Sequence, residues 1–140
     1  MKKKSVDLNG LREAVLARAQ GEALNIFNEE RFGRFYEAEH VEALLKRASE
    51  FKILYVAHEA KLNPRLQALL VGDSKVEIRY LPVGEYDFKT EMLILGESVA
   101  VSDGDEHFVI DNASFAEDMR RMFFRLWSVA RSGADERSGK

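Results

Sequence analysis

Histidine serves proteins as general base, metal ligand and pH switch, and this chain carries three, at positions 40, 58 and 107. His58 follows directly on the apolar run Phe51-Lys52-Ile53-Leu54-Tyr55-Val56-Ala57 and precedes Glu59. If that run is a strand of a parallel sheet, His58 stands at a carboxyl end, which is where such sheets bind their ligands. The plainer alternative is a partly exposed loop residue. His40 lies among Glu37, Glu39 and Glu42, which reads as the solvated, charged face of a helix. His107 comes after Asp103-Gly104-Asp105-Glu106, a run that imitates the start of a calcium loop but lacks the later ligands, including the bidentate Glu at the twelfth position. A turn is expected there, and no metal.

The carboxylates Glu85, Asp87 and Glu91 follow Ile78-Arg79-Tyr80-Leu81-Pro82, so the loop Gly84-Glu85-Tyr86-Asp87 should lie on the same carboxyl edge as His58. Taken together, His58, Glu59, Arg79, Tyr86 and Asp87 have the composition of a small-molecule site, a few placed polar groups in a cleft; a charged surface loop is the rival account. An enzyme built on His58 with Glu59 or Asp87 would need nucleophile, base and orienting group in one place, and the sequence assembles no such trio. The glycines at 10, 21, 33, 72, 84, 96 and 104 stand singly at breaks and form no phosphate cradle. With no cysteine in the chain, disulfides, thiolate catalysis and Cys-rich zinc sites drop out, and a reducing compartment fits. No cofactor is called for.

The elements that must hold these residues follow from periodicity. Leu8, Leu11, Val15, Leu16 and Ala19 recur at helical spacing, so the first amphipathic helix runs over 8–20 with Gly21 to end it. The N-terminal segment 1–21, through that helix, can pack on its own sheet or pair with its copy in a second chain. Ala23 to Phe27 suggests a short strand, although Phe32, Phe35 and Tyr36 leave 22–36 open between strand and loop. Val41, Leu44, Leu45 and Ala48 define a helix from Glu37 to Ser49. The run from Phe51 to Ala57 is β-rich and nearly uninterrupted, as a strand covered on both faces reads. Asn63-Pro64 matches an N-cap followed by Pro at the first helical position, with Gly72 as the stop. Val76, Ile78 and Tyr80 alternate with polar neighbours up to Pro82, which completes a βαβ unit. Glu91 to Leu95, Ser98 to Ser102 and His107 to Ile110 then read as an antiparallel meander broken by Gly96-Glu97 and Asp103-Gly104-Asp105. Asn112 or Ser114 can cap a closing helix bearing Phe115, Met119, Met122, Phe123, Leu126 and Trp127. Phe123 and Phe124 cannot both face inward, being about 100° apart on that helix.

A chain of 140 residues, 46% hydrophobic and 32% charged, suits one globular domain. We expect a single α/β domain over 22–130, with a mixed sheet in three layers, and a disordered tail over 131–140, where nothing is left to bury. No apolar run approaches the roughly 20 residues of a membrane span, and Met1-Lys2-Lys3-Lys4 has no apolar stretch behind it to make a signal peptide. A cytoplasmic location is expected. The net charge of −3 makes no field for a phosphate backbone, so neither nucleic acid nor membrane is the expected partner.

This order of elements, with the strand ending Ile78-Arg79-Tyr80-Leu81-Pro82, the meander, and the closing Phe123-Phe124-Arg125-Leu126-Trp127, resembles the effector-binding domain of the TrmB family of prokaryotic transcriptional regulators, a relative of one half of the phospholipase D fold. In that family a winged helix-turn-helix precedes the domain, and the residues before Glu22 are too few to form one. Phospholipase D enzymes use a histidine, a lysine two positions on and an aspartate five beyond that, the imidazole attacking phosphorus while the lysine holds the phosphate charge. On the strand entering Met92-Leu93-Ile94 the resemblance puts Phe88, Thr90 and Leu95 in those places, and no His-x-Lys pair occurs anywhere in the chain. It also implies a homodimer, since phospholipase-type halves associate in pairs. The expected protein is therefore a non-catalytic regulatory domain that binds a small effector such as a sugar, or dimerises. Its rivals are a module docking on a regulator through its first helix and Phe124, and an enzyme using His58.

Overall fold

The computed structural model describes residues 3–29, 38–62, 64–70 and 72–132. These form strands β1 (Lys3–Val6), β2 (Gly21–Asn28), β3 (Ala48–Ala57), β4 (Val76–Pro82), β5 (Glu91–Leu95), β6 (Ser98–Ser102), β7 (His107–Asp111) and β8 (Arg131–Ser132), with helices α1 (Leu8–Arg18), α2 (Ala38–Arg47), α3 (Pro64–Leu70) and α4 (Ala113–Val129). One sheet contains every strand, in the order β1-β7-β6-β5-β2-β3-β4-β8. β2, β3 and β4 run parallel, because α2 and α3 carry the chain back between them. The meander β5-β6-β7 adds antiparallel to β2. Gly96 adopts φ +56° between the paired Leu95 and Ser98, the left-handed first position that a two-residue hairpin loop of this kind requires.

Alternation along the strands divides the side chains between two cores. On one face Phe27, Phe51, Ile53, Tyr55 and Leu93 meet Leu11 and Val15 of α1, Val41 and Leu44 of α2, and Leu66 and Leu70 of α3. On the other, Leu24, Ile26, Leu54, Val56, Leu81 and Ile94 meet Ala116, Phe123 and Trp127 of α4. This is the three-layer mixed α/β domain that the apolar runs imply. β3 is buried on both faces over Ile53 to Ala57, which is why its sequence shows no alternation. Asn112 caps α4, its side chain accepting the amide of Phe115 at 2.9 Å.

The structure differs from the sequence expectation at several places. β1 differs from the expectation: Lys-Lys-Ser-Val reads as a basic lead-in, yet its backbone pairs with β7 at the edge of the sheet. α1 ends at Arg18, and Gly21, at φ +65°, opens β2 instead of closing the helix. α1 packs on its own sheet, with Leu11 and Val15 wholly buried, and Arg18 binds Asp111 of β7 through two hydrogen bonds of 2.7 and 2.8 Å. Of the ambiguous stretch, 22–28 is strand, and 30–37, with Phe32, Phe35 and Tyr36, lies outside the described residues. Ala48 and Ser49 belong to β3 and not to α2. The Asn63 cap also lies outside the described residues, whereas Pro64 does open α3. Arg131 and Ser132, assigned to the polar tail, pair with β4; positions 133–140 lie outside the described residues. Phe123 is fully buried, and Phe124 turns aside to pack edge-on against it at 5.5 Å.

Candidate functional site

Parallel strands β2, β3 and β4 point their carboxyl ends one way, and the starts of β5 and β7 and the end of β6 come to the same edge. β2 ends in Asn28, and Glu29 is the first residue of the turn that follows. Glu29 reaches His58, its Oε1 lying 3.7 Å from the imidazole Nε2, and its Oε2 accepts the backbone N–H of His58 at 3.3 Å. Asn28, only 2% exposed, donates from Nδ2 to Asp87 at 3.0 Å, and Asp87 in turn accepts from Lys89 at 2.7 Å. Two of the residues singled out in the sequence are thus held at the end of β2 by separate contacts, Asp87 by Asn28 and His58 by Glu29.

The other three are placed differently. Glu59 is exposed and lies 3.3 Å from Lys61. Tyr86 is half-buried against the core beneath α4, beside Val83 and Phe88. Arg79 does not join His58. It sits in mid-strand on the α4 side, its guanidinium 4.5 Å from the Trp127 ring centre and donating to the Trp127 carbonyl at 2.9 Å, a cation–π contact that fixes the end of the helix. The reason is the alternation of β4: Tyr80 faces the α1–α3 layer, so Arg79 must face the other.

Beside His58 an open pocket of about 160 Å3 is lined, among the described residues, by Ala57, Ala60, Tyr80, Leu81, Pro82, Arg131 and His58 itself. It is small against the several hundred Å3 of a usual ligand cleft.

Sequence reasoning missed a second polar group. Ser102 of β6 and His107 of β7 are register partners, and Ser102 Oγ lies 2.8 Å from His107 Nδ1 while accepting the Gly104 amide at 3.2 Å. Glu91 pairs with Ser102 from β5 and is 1% exposed. The three form a buried row, legible only once strand register is known. Asp103 behaves as a turn residue, accepting the amides of Asp105 and Glu106 at 2.9 and 2.8 Å, and among the described residues no cluster of His, Asp and Glu is arranged to hold a metal ion.

The reading of His40 as part of a solvated face is overturned. Its side chain is 6% exposed, because it shares the inward stripe of α2 with Leu44, four residues on. Burial first, and then the nearby Arg12 charge, push its pKa down to about 4. Its Nε2 has no hydrogen-bond partner.

Solved structures place this fold. The chain superposes on "Structure of TrmBL2, an archaeal chromatin protein, shows a novel mode of DNA binding" with a TM-score of 0.65 and 21% identity, over 94% of this chain and 54% of that one. It matches NucT from Helicobacter pylori with a TM-score of 0.68 and 9% identity, over 94% and 97% of the two chains. It matches Nuc from Salmonella typhimurium, a phospholipase D family member, with a TM-score of 0.66 and 14% identity, over 94% and 95%. The fold is phospholipase D-like and is shared with a TrmB-like protein, of whose length the chain spans about half. No protein-family model and no curated sequence matches it. Among the described residues no helix is long and apolar enough to cross a membrane.

Proposed function

We propose that this chain is a non-catalytic recognition domain, a phospholipase D-type half that binds a small-molecule effector at the carboxyl edge of its parallel strands and pairs with a second copy, as a TrmB-type sensor would. The place of Phe88 carries this reading. Where the resemblance puts the attacking imidazole, this chain has a phenylalanine packed in the apolar layer with Tyr86, Met92 and α4. Thr90 stands where a lysine would hold phosphate, and neither side chain can attack phosphorus or neutralise its charge. At the edge His58 engages Glu29, and Asp87 engages Lys89. His58, Glu59, Tyr86 and Asp87 supply donors and acceptors for a ligand, and Arg79 braces α4 behind them.

TrmBL2 is described as a chromatin protein with a mode of DNA binding; the net charge of −3 here argues for small-molecule recognition over nucleic acid. The rival docking module needs a broad exposed apolar patch, whereas Val129, 63% exposed, is the one large apolar side chain standing out among the described residues.

The test is a thermal-shift screen with sugars and small metabolites, joined to sedimentation equilibrium. A ligand at 100 times its Kd stabilises the fold by about 2.7 kcal/mol, which raises the Tm of a domain this size by roughly 5 °C or more. No shift with any compound, in a protein that stays monomeric, overturns the proposal. Hydrolysis of a phosphodiester that His58→Ala abolishes without unfolding the chain overturns its non-catalytic part.

A further inference from the structure

Asn9-Gly10 is the one asparagine–glycine pair in the chain, and it lies in the first turn of α1. The cap of that helix needs the glycine. A Cβ at position 10 would come within 3.0 Å of Asp7 Oδ1 and 3.3 Å of Val6 Cβ, crowding the carboxylate that accepts the Gly10 amide at 2.7 Å. The same choice of residue leaves a reactive dipeptide. An asparagine carboxamide is open to attack by the backbone nitrogen of the next residue, and glycine, with no side chain and the widest range of φ and ψ, hinders that approach least. The one Asp-Gly pair, Asp103-Gly104, is tied down on both sides: Asp103 Oδ1 accepts two amides, and the Gly104 amide donates to Ser102 Oγ at 3.2 Å. Asn9 is exposed, and among the described residues its carboxamide has no such tether. What restrains it is the helix, since the five-membered ring of the product cannot close at a helical ψ.

We propose that Asn9 is a self-modification site gated by the cap of α1. When the first turn opens, the Gly10 nitrogen bonds to Asn9 Cγ, the Cγ–Nδ2 bond breaks, and the side-chain nitrogen leaves as ammonia, carrying off the Gly10 amide proton. Water then opens the cyclic imide at either of its two carbonyls. One opening gives aspartate, whose charge the helix N-terminus favours. The other gives isoaspartate, in which the main chain runs through Cβ. That extra atom upsets the spacing behind both bonds of the first turn, Gly10 N–H to Asp7 Oδ1 at 2.7 Å and Leu11 N–H to the Asp7 carbonyl at 2.8 Å. The turn then stays open beside the junction with β1, where Val6 pairs with His107. The isoaspartyl chain is in turn a substrate for an enzyme that methylates isoaspartyl carboxylates. None of this depends on the recognition reading above.

The experiment incubates the full chain in mildly alkaline buffer, folded and in urea, and follows the peptide containing Asn9 by mass. Isoaspartate is scored by labelled methyl transfer from an isoaspartyl methyltransferase. Asn9 should convert ahead of every other asparagine, roughly tenfold or more slowly in the folded chain than in urea because only the opened turn reacts. Asp7→Ala should speed the folded reaction about fivefold, the loosening that loss of an N-cap brings, and Asp7→Ser, which still caps, should stay near wild type. Asn9→Gln should remove the signal. The purified isoaspartyl form should exchange its amides from Leu8 to Leu11 faster while those of α4 keep their protection. Equal rates in the folded chain and in urea, equal rates in wild type and Asp7→Ala, prior conversion of another asparagine, or native protection of α1 in the isoaspartyl form would overturn the proposal.

Discussion

His40 makes the stability of this domain depend on mildly acidic pH, and the size of the effect can be worked out. Its imidazole is 6% exposed and its Nε2 is unbonded, so the folded chain keeps it neutral down to about pH 4, against 6.5 in the unfolded chain. Between those values the unfolded state binds the extra proton. The stability that neutral His40 confers is thus complete above pH 6.5 and is lost as pH falls through the window toward 4. At about 1.4 kcal/mol per pH unit the ceiling is about 3 kcal/mol, and partial hydration of a side chain near the surface reduces it to about 2. That is a large share of the roughly 5–15 kcal/mol that holds a domain of this kind. Urea denaturation of wild type and His40→Leu at pH 7.0, 5.5 and 4.5 isolates it, since every carboxylate is common to both proteins. The wild type should lose about 2 kcal/mol more than the variant between pH 7.0 and 4.5. Parallel pH profiles, or a His40 proton resonance titrating near 6.5, would refute the reasoning. Arg12→Gln should shift the titration upward by less than burial shifts it down, because burial is the larger cause.

Other substitutions test the packing and the caps. Trp127→Ala removes a ring stacked on Phe123 at 5.6 Å and strips Arg79 of its aromatic partner; a loss of about 3–5 kcal/mol is expected in urea, and Arg79→Met should lose far less because its methylenes still cover the indole. Asn112→Ala deletes the α4 cap and should reduce stability by about 1 kcal/mol. Ser102→Ala leaves His107 Nδ1 and the Gly104 amide unmet in a buried hairpin, which should lower stability by about 1–3 kcal/mol; faster amide exchange at Gly104 would report the cause. Gly96→Ala forces a side chain into the left-handed region at φ +56° and should cost about 1 kcal/mol with no loss of ligand binding.

What the sequence determined by itself was the set of elements and which of their faces turn inward. The continuous apolar run from Phe51 to Ala57, the 3,4 spacing in α1, α2 and α4, and the single glycines at the turns are local consequences of side-chain periodicity and backbone freedom, so they are visible one segment at a time. The two edge strands, Lys3–Val6 and Arg131–Ser132, carry no apolar run or alternation of their own and are defined by hydrogen bonds to a distant neighbour, β7 and β4. The candidate site was half legible: strand polarity placed His58 and Asp87 on one edge, yet nothing local reveals that Asn28 and Glu29 hold them there, or that Arg79 turns away to Trp127. Only the tertiary structure decided that, as it decided the burial of His40 and the Glu91-Ser102-His107 row. Strand order and register are agreements between segments far apart in the chain, and a side chain's partner, solvation and charge state depend on which distant strand or helix comes to lie against it.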